Sequence, residues 1–309
     1  YDVLDLHETS EVLILYIYSM ETGFTLLTHI QFNRIPTLIG SIPSPFLVNS
    51  AKYPYTFSIT PTPVDISRIG MKFISEKSGI KVRNPKIVFV GSPDHFGQHF
   101  LDEAKEYARA LGLNIGPDIW ISTLSQPTEE ALKSPTFSLS MINQYNADFA
   151  YLSFTPKEVF SILQEAKRIG LRTKWVCSMR AFDESLALFD GVFGVQPISP
   201  FGEDIPGMVG IEEAHQKWHP YDSHTLSYVE GWATVQVVAE ALGRSLPEQR
   251  LSRERIRLAL ESFKEFAVGG LIPPITITAK DHRSSVESRI FTIKDGKILR
   301  HTGFLSIGR

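Results

Sequence analysis

Lys86-Ile87-Val88-Phe89-Val90 is a continuous apolar run, which predicts a strand buried on both faces of a sheet. An amphipathic helix follows it and ends at Gly112. The same alternation repeats downstream, where we predict strands at 119–122, 149–154, 175–178 and 192–195. One of the intervening helices has Pro156 in its first turn, where the missing N–H costs nothing. Strands separated by helices of this length predict βαβ units and a parallel sheet.

The flanking sequence extends the alternation before it changes character. Upstream, we predict strands at 12–18, 35–39 and 53–60, and helices from Ser19 or Thr22 to Gln31 and over 65–78. Downstream, 183–189 predicts a short helix, 196–207 a long connection, and 209–218, 228–242 and 252–263 helices. In the 228–242 helix the apolar stripe predicts an inner face made of Tyr228, Trp232, Val235, Ala239 and Leu242. The tail predicts strands at 275–278, 289–293 and 298–304, with a hairpin turn at Asp295-Gly296.

Composition excludes several classes of protein. The 309 residues are 43% hydrophobic and carry a net charge of −3, which is typical of globular proteins and gives no basic patch for nucleic acid. The longest apolar run, Val12–Tyr18, is far shorter than the roughly 20 residues of a membrane-spanning helix. A single cysteine, Cys177, excludes an internal disulfide and a cysteine cluster for zinc or iron–sulfur.

Motifs for catalysis are absent, and one group of residues resembles a metal site. No phosphate loop, dinucleotide fingerprint or nucleophile elbow occurs in the sequence. His215 and His219 lie four residues apart on a predicted helix and, with Asp222 and His224, would be the best metal ligands. The favoured interpretation is a solvated helix end with polar histidines, because the Glu that catalysis requires does not follow His215. We therefore predict no metal site, no cofactor and no enzymatic activity.

Arg180 is the residue most suited to binding an anion. It follows the strand predicted at 175–178, and so lies at the edge of a parallel sheet where α/β proteins bind ligands. A guanidinium there can bind a carboxylate through two parallel hydrogen bonds. A solvated loop charge is the alternative interpretation.

Five segments matter as an ordered set along the chain: Asn33–Ser41, Lys86–Gly97, Tyr228–Gly243, Phe266–Arg283 and Ile293–Lys297. Together they resemble the type I periplasmic binding proteins, and most closely the branched-chain amino-acid (Leu/Ile/Val) binding proteins of ABC transporters. The resemblance covers nearly the whole chain, and it rests on the ordered set because no single motif is diagnostic.

This resemblance implies two Rossmann-like α/β lobes with parallel sheets, joined by a hinge of three crossovers that closes over a small ligand. Lobe one would comprise residues 1–60 plus 204–286, and lobe two residues 61–203 plus 287–309. The family opens with a strand, a helix and a second strand before the segment that resembles Val12–Tyr18. We therefore expect that an N-terminal part of lobe one, and any leader, is missing from this sequence.

The resemblance also implies ligand-binding residues in the loops after the strands. In lobe one they are Ser19, Met20, Thr22, Gly40, Ser41 and Ile42, with Pro43 standing where the family has a threonine. In lobe two they are Phe96, Ser153, Phe154, Met179 and Arg180. Met179-Arg180 falls where amino-acid binders carry a glutamate for the ligand's ammonium, and no carboxylate follows until Asp183. Since an unpaired buried charge is costly, this departure favours an organic acid or amide over leucine or valine.

The function that the resemblance implies is that of the solute-binding component of an ABC importer. It would lie in the periplasm or at the cell surface, bind a small molecule and pass it to a membrane permease. A ligand-sensing receptor or regulator domain of the same fold is the first alternative, and a metal-dependent hydrolase built on His215 and His219 is the second.

Overall fold

Strands and helices alternate along the chain in the computed structural model, which describes residues 12–40, 43–76, 84–92, 95–121, 135–246 and 250–309. The helices are α1 (Met20–Phe32), α2 (Pro63–Glu76), α3 (His95–Ala110), α4 (Pro135–Tyr145), α5 (Pro156–Arg168), α6 (Met208–Trp218), α7 (Leu226–Ser245) and α8 (Arg253–Glu261). The strands are β1 (Leu15–Ile17), β2 (Thr37–Ile39), β3 (Thr56–Ser58), β4 (Lys86–Gly91), β5 (Asn114–Ile115), β6 (Ile119–Trp120), β7 (Phe149–Ser153), β8 (Lys174–Cys177), β9 (Phe193–Gln196), β10 (Glu287–Lys294), β11 (Lys297–Arg300) and β12 (Leu305–Ser306). None of the helices in these ranges is long and apolar enough to cross a membrane.

The chain divides into two compact units. Unit 1 comprises Tyr1–Thr62 and Phe201–Val286, and unit 2 comprises Pro63–Pro200 and Glu287–Arg309. The chain therefore passes from one unit to the other three times.

Unit 2 is built on the larger sheet, whose strands follow the order β11-β10-β9-β8-β7-β4-β5, with β6 also paired to β4 and β12 to β10. The pairs from β4 to β9 are parallel, as predicted from the alternation of strands and helices. Strand β10 adds antiparallel to β9 and forms the predicted Asp295-Gly296 hairpin with β11. On one face of this sheet, the core packs side chains of β4, β7 and β8 against α4 and α5.

Unit 1 contains a smaller parallel sheet with the strand order β1-β2-β3. Ile17 lies in register with Ile39, and Ile39 in register with Ser58, so the three strands end side by side. Ile17 and Ile39 pack with Ile30 of α1 and with Tyr55 in a buried cluster. The sheet is thus fixed to α1 by aliphatic side chains, which stabilise it by removing apolar surface from water.

Local sequence signals position several of the helices. Thr155 and Glu158 form a reciprocal capping box at the start of α5, and Pro156 occupies its first turn as predicted. Ser19 caps α1 and Ser252 caps α8, each accepting a hydrogen bond from a backbone N–H of the first turn. The helix starts that the sequence indicated are therefore confirmed at these three positions.

The inner face of α7 is not the one predicted from the apolar stripe. Val235 is 67% exposed and Ala239 is also exposed, whereas Val229, Ala233 and Val237 are buried. Both faces of this helix carry apolar residues, and the smaller ones are packed against the rest of unit 1. The inner face of α7 that was predicted from the periodicity alone is therefore wrong.

Three further predictions are corrected by the structure. The segment 275–278 forms isolated bridges, Phe266 with Ile275 and Thr278 with Asp281, in place of a strand. The helix expected over 183–189 is a single 3-10 turn, Glu184–Leu186. The strand expected over 298–304 is interrupted, because β11 ends at Arg300 and β12 begins at Leu305.

Candidate functional site

Three parallel strands of unit 2 end side by side, and the predicted ligand residues of that unit follow them. Gly91 at the end of β4 lies in register with Ser153 at the end of β7. The backbone N–H of Ser178, directly after β8, donates to the carbonyl of Leu152 at 2.9 Å. The loops after β7 and β8 therefore start at one edge of the sheet, the edge at which parallel α/β sheets bind their ligands.

The four predicted residues at this edge combine apolar and polar groups. Phe154 and Met179 are buried, whereas Ser153 and Arg180 are half-buried. The structure thus brings together Ser153, Phe154, Met179 and Arg180 as adjoining residues of β7, β8 and their loops. The hydroxyl of Ser153 and the guanidinium of Arg180 at this edge suit a small molecule with an anionic group, whereas Phe154 belongs to the hydrophobic core that packs against α5.

Arg180 lies in a short turn, Ser178–Phe182, which we call the arginine turn. Its centre is a 3-10 helix at Met179–Ala181, closed by a hydrogen bond from the Ala181 N–H to the Ser178 carbonyl at 2.9 Å. The side chain of Gln196, at the end of β9, donates to the carbonyl oxygens of Met179 and Phe182. The sequence analysis predicted that Gln196 begins the connection over 196–207. The only sequence feature that pointed to its contact with the arginine turn was its position directly after the apolar run 192–195.

Cys177 precedes the arginine turn and is fully buried. Burial raises the pKa of its thiol well above the usual range, and the charge of Asp183 acts in the same direction. The thiol is therefore neutral at physiological pH, and only a thiolate is nucleophilic.

In unit 1, the predicted residues after β1 cap a helix. The Ser19 hydroxyl accepts a hydrogen bond from the Thr22 N–H at 3.1 Å and shares one with the Thr22 hydroxyl at 2.9 Å. Met20 is buried. The two hydroxyls are thus adjacent at the carboxyl end of β1, and each is already engaged with the other.

Gly40 follows β2 at the same edge of the small sheet, and its N–H donates to the Ile17 carbonyl at 2.9 Å. The Tyr16 phenol lies against Gly40, since a methyl group added there would lie 2.8 Å from Cε2 of that ring. After β3, the Thr60 side chain is buried and its hydroxyl has no hydrogen-bond partner in the described structure. Sequence reasoning missed Tyr16 and Thr60, although Thr60 is the last residue of the strand predicted over 53–60.

Three predicted residues are not fully described. Ser41 and Ile42 lie outside the described residues. Phe96 lies in the first turn of α3, and its side chain is not among those described.

The histidines that resembled a metal site form an aromatic cluster. His215 is buried against Phe201 and Tyr228, and the exposed His224 stacks on Phe201 with ring centroids 4.0 Å apart. His219 is exposed, and its Nδ1 lies 3.0 Å from a carboxylate oxygen of Asp222. The predicted solvated helix end is therefore correct for His219 and wrong for the buried His215. Among the described residues, no group of three or more His, Cys, Asp or Glu side chains could hold a metal ion.

A comparison with known protein families gives one match. A family model described as "Periplasmic binding protein" matches residues 14–297. A comparison with curated proteins found no match.

Solved structures similar to this chain include three from different bacteria. A branched chain amino acid ABC transporter from Thermus thermophilus with bound valine is 20% identical with a TM-score of 0.82, and the match covers 98% of this chain and 80% of that one. A fatty acid ABC transporter substrate-binding protein from Thermomonospora curvata is 20% identical with a TM-score of 0.79, covering 98% and 78%. A leucine binding protein from Thermotoga maritima is 12% identical with a TM-score of 0.76, covering 98% and 83%.

Proposed function

The chain belongs to the periplasmic binding protein family, and from that premise we propose that it is the extracytoplasmic solute-binding component of an ABC importer. The predicted type I fold with parallel sheets is confirmed by the structural likenesses. In the proposed function, a small ligand binds between the two lobes, the hinge closes over it, and a membrane permease receives it. The family match over residues 14–297 is the observation that carries this proposal.

We propose a carboxylic acid or an amide as the ligand class, in preference to an amino acid. The ammonium of an amino acid needs a carboxylate partner, and the first carboxylate after β8 is Asp183. Asp183 caps the next turn, because its carboxylate accepts hydrogen bonds from the N–H of Ser185 at 2.9 Å and from the Ser185 hydroxyl at 2.5 Å. A guanidinium at Arg180 offers the opposite charge, which attracts a carboxylate and repels an ammonium.

The similar structures are compatible with either ligand class. One is described with bound valine and another as a protein of a fatty acid transporter. The choice for this chain therefore rests on its own residues, in which Arg180 would bind the carboxylate and Met179, its neighbour in the arginine turn, would contact an apolar body.

Thermal unfolding with three related probes tests the proposal. L-leucine, 4-methylpentanoate and 4-methylpentanamide share one apolar body, but the second lacks the ammonium and the third lacks any charge. A ligand at 100 times its dissociation constant stabilises the folded protein by about 2.7 kcal/mol. For 309 residues with an unfolding entropy of about 2.1 cal/mol/K each, this raises the midpoint by about 4 °C. We expect that shift with 4-methylpentanoate and none with leucine.

Arg180→Gln should greatly reduce the shift with 4-methylpentanoate, because the acid then binds more weakly. The matched control is Arg172→Gln, because Arg172 is exposed and precedes β8, whereas Arg180 follows it. An equal shift with leucine and with 4-methylpentanoate contradicts the acid class. Equal loss in both variants contradicts the role of Arg180.

A further inference from the structure

Gln196 is a buried polar residue that no part of the proposed ligand contact uses directly. It is the last residue of β9, only 3% exposed, and β9 is the neighbour of β8 in the sheet. The register sets Cys177 opposite Gly194, so the end of β9 extends alongside the arginine turn. A long amide side chain at this position reaches backbone groups of the arginine turn that the pairing of β8 with β9 does not use.

The Gln196 amide makes three hydrogen bonds, all to the backbone. Its nitrogen donates to the carbonyl oxygen of Met179 at 3.2 Å and to that of Phe182 at 3.3 Å. Its oxygen accepts from the N–H of Ile198 at 3.3 Å. The nitrogen thus bonds to one carbonyl on each side of Arg180, and both of those carbonyls belong to buried residues, for which an unpaired polar group is costly.

A second contact fixes the same turn to the same strand. Gly194 and Gln196 are two residues apart on β9 and therefore face the same side of the sheet. The Phe182 ring, which is 1% exposed, covers Gly194 so closely that a methyl group there would lie no more than 2.5 Å from three ring atoms. The missing side chain at Gly194 and the amide at Gln196 together hold the arginine turn against β9.

We infer that Gln196 is a positioning residue for ligand binding, because it holds the backbone on both sides of Arg180 and so sets the direction of the guanidinium. This inference rests on the proposed function of Arg180 as the carboxylate-binding residue. A guanidinium binds a carboxylate through two parallel hydrogen bonds, so a rotation of its backbone weakens both bonds at once. Binding of an uncharged amide, which does not depend on that pair of bonds, is less sensitive to the same rotation.

Gln196→Met tests the inference, because methionine matches the length and shape of glutamine but forms none of the three bonds. Gln216→Met is the matched control, since Gln216 is exposed on α6 in unit 1. Titration calorimetry with 4-methylpentanoate and 4-methylpentanamide gives the affinities of the wild type, Gln196→Met, Arg180→Gln and the double variant. Hydrogen exchange of the peptide spanning 178–182 reports the state of the turn without any ligand.

We expect Gln196→Met to weaken binding of 4-methylpentanoate by about tenfold and of 4-methylpentanamide by less than about twofold. In the Arg180→Gln background, the same substitution should have no further effect on the acid, since the two residues act through one contact. Exchange in 178–182 should be faster in Gln196→Met than in the wild type and unchanged in Gln216→Met.

Three results would overturn the inference, and each is distinct from failure of the proposed function. These are equal weakening of acid and amide, full additivity with Arg180→Gln, and unchanged exchange in 178–182. A wild-type protein that binds neither 4-methylpentanoate nor its amide overturns the proposed ligand class itself, and with it the role of Gln196 in binding.

Discussion

Substitution of Gly194 by alanine should destabilise unit 2, because the added methyl group has no room. The overlap involves Cγ of Phe182 as well as two other ring atoms. Rotation of the ring about its own axis does not move Cγ, so relief of the clash requires either a change of χ1, which would carry the ring out of its buried position, or a shift of the Phe182 backbone. That backbone is held by the hydrogen bond between its carbonyl and Gln196.

The expected cost follows from two opposing effects. Extra volume in a well-packed core costs about 1–3 kcal/mol. Alanine recovers about 0.5–1 kcal/mol relative to glycine in a strand, because the unfolded chain loses less entropy on folding. These ranges leave a net loss in the free energy of unfolding of about 0 to 2.5 kcal/mol, and because three ring atoms overlap with the added methyl group we expect the upper part of it, about 1–2.5 kcal/mol. With the unfolding entropy of about 2.1 cal/mol/K per residue used above for 309 residues, the midpoint of thermal unfolding falls by about 1.5 °C per kcal/mol.

Urea unfolding followed by circular dichroism measures this loss. Gly303→Ala is the matched control, since Gly303 also belongs to unit 2 and nothing lies within 4 Å of the added methyl group. The control should remain within about 0.5 kcal/mol of the wild type. A Gly194→Ala protein as stable as that control would refute the reasoning, because Phe182 would then be free to move away from β9.

Two further predictions concern titratable groups. Burial lowers the pKa of His282, whose Nδ1 donates to the Thr56 carbonyl and whose Nε2 faces a carboxylate oxygen of Glu261 at 3.2 Å. Because the unfolded chain then binds a proton that the folded chain does not, the free energy of unfolding should fall as the pH drops below about 6.5. The urea midpoints at pH 7.5 and 5.5 should therefore differ less in His282→Gln than in the wild type or in the exposed control His219→Gln. A pH dependence in His282→Gln equal to that of the wild type would contradict this assignment. The Cys177 thiol, whose pKa burial raises, should react with a thiol reagent at pH 8 only after unfolding in urea, and rapid reaction in the native protein would show that β8 is open at its end.

Local signals explain why the sequence located most elements of the fold. Thr155 and Pro156 mark the start of α5 because capping depends on residues only three positions apart. Asp295-Gly296 marks the hairpin because the turn chemistry depends on two adjacent residues. The same reasoning placed Ser153 and Arg180 at strand ends, since a strand's end is also a local feature and parallel strands end at one edge.

Features that depend on what packs against an element were not predictable in the same way. Helix α7 presents Tyr228 and Val235 on one side and Val229 and Val237 on the other, so its periodicity is compatible with two orientations. The structure buries the side with the smaller residues, which leaves Val235 exposed. Which side of α7 is buried depends on the shape of the rest of unit 1, and the residues of α7 alone do not determine that shape.

The support of the candidate site belongs to this second kind of feature. Arg180 is recognisable from its place after a strand, but Gln196 acts on it from 16 positions further along the chain, through a neighbouring strand. Gly194 is likewise a plain glycine within an apolar run until Phe182 is seen to cover it. A candidate ligand-binding charge can thus be recognised from local sequence, whereas the residues that we propose to direct it become visible only once the strand order places β9 beside β8. Ligand specificity in this chain should therefore respond to substitutions in β9 as strongly as to substitutions beside Arg180. Variants of Gln196 separate the effect of β9 from the effect of the residues beside Arg180.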